Sequence, residues 1–180
     1  MTNRFRWFVF VLLIASLAAW GIIYTYPHRY HLKIQGIAYQ LGEGNRDYVP
    51  TILLINGTVR KNLKGVRTFI GTIDIQGEAI PVPKAHRQLH IKLSKHGEAV
   101  LLYAYNDKGQ PKMFTYGTLI VNDDFSKFTI LKLASNARTG QSGFDGRDGH
   151  VISAPALQRE DALEITNELM RYSLQGNVLQ

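Results

Sequence analysis

Three histidines, His86, His90 and His96, lie close together near the middle of the chain, with Lys92 and Lys95 between them. Clustered imidazoles are the raw material of a zinc site, which gathers nitrogen, sulfur or carboxylate ligands in a tetrahedral set. Histidines four apart would meet on a helix, but this stretch alternates like a strand. Lys95-His96-Gly97 interrupts the even spacing that would align all three, and no neighbouring Asp or Glu completes a ligand set. The three therefore read as exposed strand histidines. Asp145-Gly146-Arg147-Asp148-Gly149 is oxygen-rich, as a calcium loop is, but such a loop needs alternating acidic ligands and a closing glutamate. With an arginine in the middle, it reads as consecutive turns, and Asn122-Asp123-Asp124 as a hairpin turn.

Nucleophilic catalysis needs a hydroxyl or thiol, a base and an orienting acid brought together. Ser94 beside His96 and Ser142 beside Asp145 are the nearest approaches, without a Gly-x-Ser-x-Gly elbow. Paired carboxylates for glycoside chemistry leave no local mark. The absence of cysteine excludes disulfides, thiolate zinc sites, lipid-attached cysteine and cysteine nucleophiles. No catalytic, cofactor-binding or metal-ligating residue is assigned, and no cofactor is implied.

The elements that would position any site are mostly strands. Segments rich in Ile, Val, Leu, Thr, Tyr and Phe, divided by turn residues, predict strands over 31–40, 51–60, 68–76, 88–93, 99–105, 113–121, 127–133 and 150–153. Leu89, Ile91 and Leu93 alternate with Gln88, His90 and Lys92, the pattern of a half-buried strand. Asn106-Asp107-Lys108-Gly109 supplies a further tight turn, so short turns between successive strands imply an antiparallel meander. Gly-Thr recurs inside three strand patterns, at Gly57-Thr58, Gly71-Thr72 and Gly117-Thr118. Glycine weakens a strand unless a bend or close approach requires it, so strongly curved strands or a small barrel are expected. Asn56-Gly57 is compatible with a hairpin turn, but Asn62–Gly65 follows too soon, and one bent continuous strand is preferred. From 155 to 174 the period becomes helical. Ala162, Leu163, Ile165, Thr166, Leu169, Met170, Tyr172, Ser173 and Leu174 share a broad face suited to packing on a sheet. Pro155 suits the first turn and Gly176 the end. Between the last long strand and this helix, 136–149 reads as a loop.

The chain opens with Arg4 and Arg6, followed by an uncharged run from Trp7 to Tyr24. A helix needs ~20 apolar residues to cross the hydrocarbon core. Trp7 and Phe8 at one end and Trp20, Tyr24 and Tyr26 at the other suit interfacial belts, and Pro27 stops the helix. Residues 7–26 thus read as a transmembrane anchor and 1–6 as a cytoplasmic tail. A juxtamembrane segment with the first strand is expected at 27–50, and the exported domain at 51–180. The competing reading is a signal peptide cleaved after Ser16-Leu17-Ala18, but the apolar run continues through Trp20, Ile22 and Ile23.

The formal net charge is +7, and without the two arginines ahead of the run the remainder carries +5. Charge of this sign concerns partners and solubility. Lys84, Arg87, Lys92, Lys95 and Lys132 come nearest to a cluster. Export argues against nucleic acid as partner and leaves lipid head groups, wall polymers or another envelope protein.

The order of landmarks resembles that of bacterial membrane-anchored extracytoplasmic proteins of unknown function. The resemblance rests on Phe69-Ile-Gly-Thr-Ile-Asp-Ile75, Tyr116-Gly-Thr-Leu119, Asp123-Asp-Phe-Ser126, Ile152-Ser-Ala-Pro-Ala156 and Asp161-Ala-Leu-Glu-Ile165. It implies one N-terminal segment, a β-rich exported domain and a closing helix, and carries over no activity or site residue. The expectation is a mainly β (α+β) fold: an antiparallel meander, as a strongly curved sheet or small barrel, closed by a C-terminal amphipathic helix. The expected function is a non-catalytic extracytoplasmic binding or accessory module tethered to the cell membrane. The alternatives are an envelope-acting hydrolase and a carrier of a small apolar ligand in a barrel cavity; oligomeric state is left open. A retained anchor predicts that N-terminal labelling of membrane-recovered protein returns residues ahead of Ser16; a chain starting at Ala19 shows cleavage instead.

Overall fold

The computed structural model describes residues 3–135 and 142–180. One helix, α1 (Asn3–Thr25), leads into β1 (His28–Gln40), β2 (Tyr48–Lys61), β3 (Arg67–Ile75), β4 (Leu89–Leu93), β5 (Glu98–Asp107), β6 (Gln110–Val121) and β7 (Phe128–Lys132). A short pair, β8 (Ala134–Ser135) and β9 (Ser142–Gly143), precedes β10 (His150–Ala154) and α2 (Arg159–Leu174). Within α1, Arg6–Thr25 is long and apolar enough to cross a membrane, and none of it is buried.

Eight strands form one antiparallel sheet in the order β4-β3-β2-β1-β10-β7-β6-β5. Read around a circle, this is the expected meander. β10 pairs with both β1 and β7 and joins the two halves, leaving a single seam between β4 and β5. The sheet is a nearly closed barrel. Its first strand is also its central one: β1, within the expected 27–50 segment, pairs with β2 on one side and β10 on the other.

Curvature comes from the glycines. Gly57 and Gly71 lie directly opposite each other on β2 and β3. A Cβ on Gly71 would lie 2.2 Å from the Asn56 carbonyl oxygen, and one on Gly57 would lie 2.7 Å from the Phe69 ring. At Gly117 a Cβ would lie 2.2 Å from the Leu131 oxygen. Side chains at these positions would hold the strands apart where the sheet must bend inward. β2 runs unbroken through Asn56-Gly57, as the continuous-strand expectation holds.

Alternating residues fill the interior: Leu53, Ile55, Phe69, Ile73, Leu89, Leu101, Tyr103, Leu119 and Ile130 are all buried. Both barrel ends are stoppered. At the α1 end, Phe125 turns inward, stacking on Tyr30 and meeting Phe128 edge-on. At the far end the β3–β4 connection folds over the mouth, burying Ile80 and Val82. Arg87 holds it there, donating to the Val82 and Ile80 carbonyls at 2.8 and 3.0 Å and pairing with Asp74 at 3.0 Å. The same connection fills the seam, where His86 stacks on Tyr105.

The outer face over β1, β10, β7 and β6 is covered by α2, through Ala162, Ile165 and Met170 on Ile37, Tyr39, Ile120, Leu131 and Val151. Four hydroxyls are buried beneath the helix. Thr166 Oγ1 lies 2.8 Å from Tyr39 Oη and 2.7 Å from Ser153 Oγ, and Thr129 Oγ1 lies 3.1 Å from Ser153. Each thus has a partner, as buried polar groups require.

α2 starts at Arg159, four residues later than the sequence pattern indicates. Pro155 is not in its first turn, because the backbone there is still tied to the sheet: the Ala156 N–H donates to the Gln35 carbonyl at 3.2 Å. Of the expected loop 136–149, residues 136–141 lie outside the described residues, and the next two form β9. Gly71→Ala should destabilise the fold by about 2–3 kcal/mol, whereas Gly44→Ala, with open space around it, should stay within about 0.5 kcal/mol. Urea unfolding of the detergent-solubilised protein, followed by circular dichroism, measures both.

Candidate anion-binding face

The residues singled out for chemistry are dispersed by the fold. His86 stacks on Tyr105, His90 points outward from β4, and His96 stacks on Tyr172 of α2 with ring centres 4.1 Å apart. Ser94 Oγ accepts the N–H groups of His96 and Glu98, so it caps a turn. Asp145 does the same in its own turn, accepting the Arg147 N–H at 2.9 Å. Asn122 Oδ1 accepts from Ser126 and Lys127, and Asp124 accepts from the Ser126 hydroxyl, which holds the Asp124 carboxyl below its ordinary range.

Ionisable groups gather at the far end of the barrel. There Lys132 Nζ donates to both oxygens of Glu78, at 2.9 and 2.7 Å, beside an open cleft of about 440 Å³ bordered by Tyr48, Gln76 and His150. Tyr116 lies below this pair with its hydroxyl buried beside Glu78, without the alignment of a full hydrogen bond. Burial pushes its pKa up, and the Glu78 charge pushes the same way. Tyr103 is pushed up to about 12, by burial first and then by Asp74. Burial also raises Tyr39 under α2. Glu78 is taken up by the lysine, and none of the described side chains bordering the cleft pairs a hydroxyl nucleophile with a base. The arrangement is that of a structural ion pair.

The more distinctive electrostatics lie on the outer face of β2–β4 and the first half of β1, beyond the reach of α2. In β1, Tyr30, Leu32 and Ile34 turn inward, which turns Arg29, His31 and Lys33 out to solvent. Arg60 follows inward Val59 on β2, and His90 and Lys92 alternate with inward Leu89, Ile91 and Leu93 on β4. Register then aligns them in rows. Arg29, Thr58, Ile70 and His90 lie side by side, and Arg60, Thr68 and Lys92 form the row nearer α1. With strands about 4.8 Å apart, charges two strands away are within about 10 Å, close to a Debye length at physiological salt.

Lys61 and Lys64 extend the patch onto the β2–β3 hairpin. Among the described residues, none of Arg29, Lys33, Arg60, Lys61, Lys64 and Lys92 takes part in an ion pair. Asp74, on the outer face of β3 in the row of Lys33 and Leu54, is paired with Arg87, and Glu160, Asp161, Glu164 and Glu168 ride on α2, where Glu168 pairs with Lys127. The barrel is electrically lopsided, basic over β1–β4 and acidic over the helix, and such a field concentrates anions on one side.

Of the cations that come nearest to a cluster in the sequence, Lys92 stands on this face. Arg87 and Lys132, expected near a cluster, are each consumed by an ion pair, with Asp74 and Glu78. The true cluster is built from cations up to 63 positions apart, Arg29 to Lys92, which only register brings together. Outward alternation in β1 was the available signal. Comparison with protein-family models, curated proteins and solved structures finds no match.

For the three buried tyrosines the folded pKa is raised above the ordinary value near 10, so their contribution is complete below pH 10 and is lost as pH rises through the folded values, about 12 for Tyr103. Stability should decline above pH 10, by up to about 1.4 kcal/mol per pH unit per tyrosine. Tyr103→Phe should make that decline shallower. Denaturant titration across pH 9–12, with tyrosinate absorbance, checks this; absorbance from these tyrosines preceding loss of the β signal would contradict it.

Proposed function

We propose that this chain is a single-pass membrane protein with a cytoplasmic N-terminus, and that its exported barrel is a non-catalytic accessory module that holds an anionic envelope polymer against the outer face of β1–β4. The observation that carries this reading is the set of six cations without an ion-pair partner among the described residues, on three strands and one hairpin, on the side where the apolar helix exits. A basic sheet face suits an extended, repeating polyanion better than a small ligand, because the charges are spread in rows rather than converging on a point.

Two further features support the reading. The barrel interior is occupied by its own side chains, which favours a surface ligand over an apolar one held inside. At the far end Glu78 is held by Lys132 in a two-pronged ion pair. Arg4 and Arg6 ahead of the apolar stretch support the orientation by the positive-inside rule.

Long-chain polyphosphate is a suitable probe of this polyanion chemistry. The full chain in detergent should bind it with affinity that falls steeply as salt rises. The triple variant K33E/R60E/K92E should weaken binding by about tenfold or more, equivalent to about 1.4 kcal/mol, while keeping the native melting curve. Equal binding by the variant, or binding indifferent to salt, would sink the proposal.

A further inference from the structure

The β2–β3 hairpin reaches back to the last turn of α1. Lys61 Nζ sits 4.6 Å from the centre of the Tyr24 ring, and Tyr24 stacks on Trp20 at 5.1 Å. At the hairpin's turn, Gly65 comes close to the same tyrosine: a Cβ there would lie 3.7 Å from its hydroxyl. The tip is firmly built. Asn62 Oδ1 accepts the N–H groups of Lys64 and Val66, both at 2.9 Å, and the Asn62 N–H donates to the Val66 carbonyl.

This rigid tip presents Leu63 outward, 71% exposed, with Val66 also exposed and Lys61 and Lys64 on either side. None of the described residues covers the leucine. Around the corner an open groove of about 760 Å³ carries Lys61, Lys64, Arg67 and Lys95 on its walls, with Tyr24 and Phe125 at its floor. Asp123, the acidic residue bordering it, is paired with Arg67 at 3.1 Å.

From these contacts we infer that the hairpin tip is a second membrane contact. Leu63 enters the headgroup–acyl boundary beside α1, and Lys61, Lys64 and the groove lysine Lys95 reach the phosphates of anionic lipids. The inference rests on the reading of α1 as a membrane span. The twenty residues Arg6–Thr25 rise about 30 Å, the thickness of the hydrocarbon core, which places Tyr24 at the interface. The part of the hairpin that touches Tyr24 is then at headgroup depth. Only two residues separate α1 from β1, so the barrel has little freedom to lift away. An exposed aliphatic side chain between lysines matches that layer, with the apolar part inward and ammonium groups at the phosphates. The consequence is orientation: two contacts fix the barrel's tilt and hold the basic β1–β4 face beside the membrane.

The chain has no cysteine, so single cysteines report position cleanly. Leu63→Cys, Lys108→Cys on the far hairpin and Ile14→Cys in α1 would each carry an environment-sensitive dye. The full chain is reconstituted in vesicles of equal phosphatidylcholine and phosphatidylglycerol. The expected result is blue-shifted emission at position 63, quenched by lipids with a shallow nitroxide and shielded from aqueous iodide. Position 108 should be iodide-accessible and position 14 quenched by a deep nitroxide. K61E/K64E should restore iodide access at position 63. Deep quenching at position 14 with open iodide access at position 63 would overturn the hairpin contact and leave the anchor intact. No deep quenching at position 14 would remove the anchor reading, and the inference with it.

Discussion

The closed shape of the sheet depends on how closely β2 and β3 approach at one point, where Gly57 faces Gly71. Two inward positions without side chains let the strands bend and leave room for the Phe69 ring, which fills the space a Cβ would claim. With that bend the sheet coils far enough for β10 to bridge β1 and β7. Coiling also sends every second side chain to one interior. A flat sheet of the same sequence would expose that row of Ile, Leu, Phe and Tyr on one side, and burying such area is the main stabilising term in folding.

Closure divides the outside into two unlike faces. One is claimed by α2, whose apolar side needs cover and whose Thr166 completes a buried hydroxyl group with Tyr39, Thr129 and Ser153. The other, over β2–β4 and the first half of β1, has no covering layer among the described residues, and its outward positions on β1 and β4 carry cations. The acidic face of α2 lies on the opposite wall, so the charges do not neutralise one another. The basic face, the hairpin and the end of α1 therefore form one side of the molecule, and both proposals grow from that geometry.

Much of the fold was legible because strand signals are local. Alternation located all eight barrel strands to within a few residues, since a half-buried pleated surface writes itself into a period of two. The glycine repeats signalled curvature for a similarly local reason. The start of α2 was misplaced because Pro155 and Ala156 look like a helix opening but are held by the Gln35 carbonyl, a partner 121 residues away. The β8–β9 pair was missed because two-residue strands carry no periodicity.

By itself, then, the sequence determined the apolar helix, the β character, the need for bent strands and the absence of thiol chemistry, all properties of residues and their near neighbours. Tertiary structure decided which cations stand free and which are neutralised. Arg87 and Lys132 looked available until the fold set Asp74 and Glu78 beside them, while Arg29, Lys33, Arg60 and Lys92 became a surface only through strand register. Coulomb interaction depends on distance in space, and the distances that matter here join residues far apart in the chain.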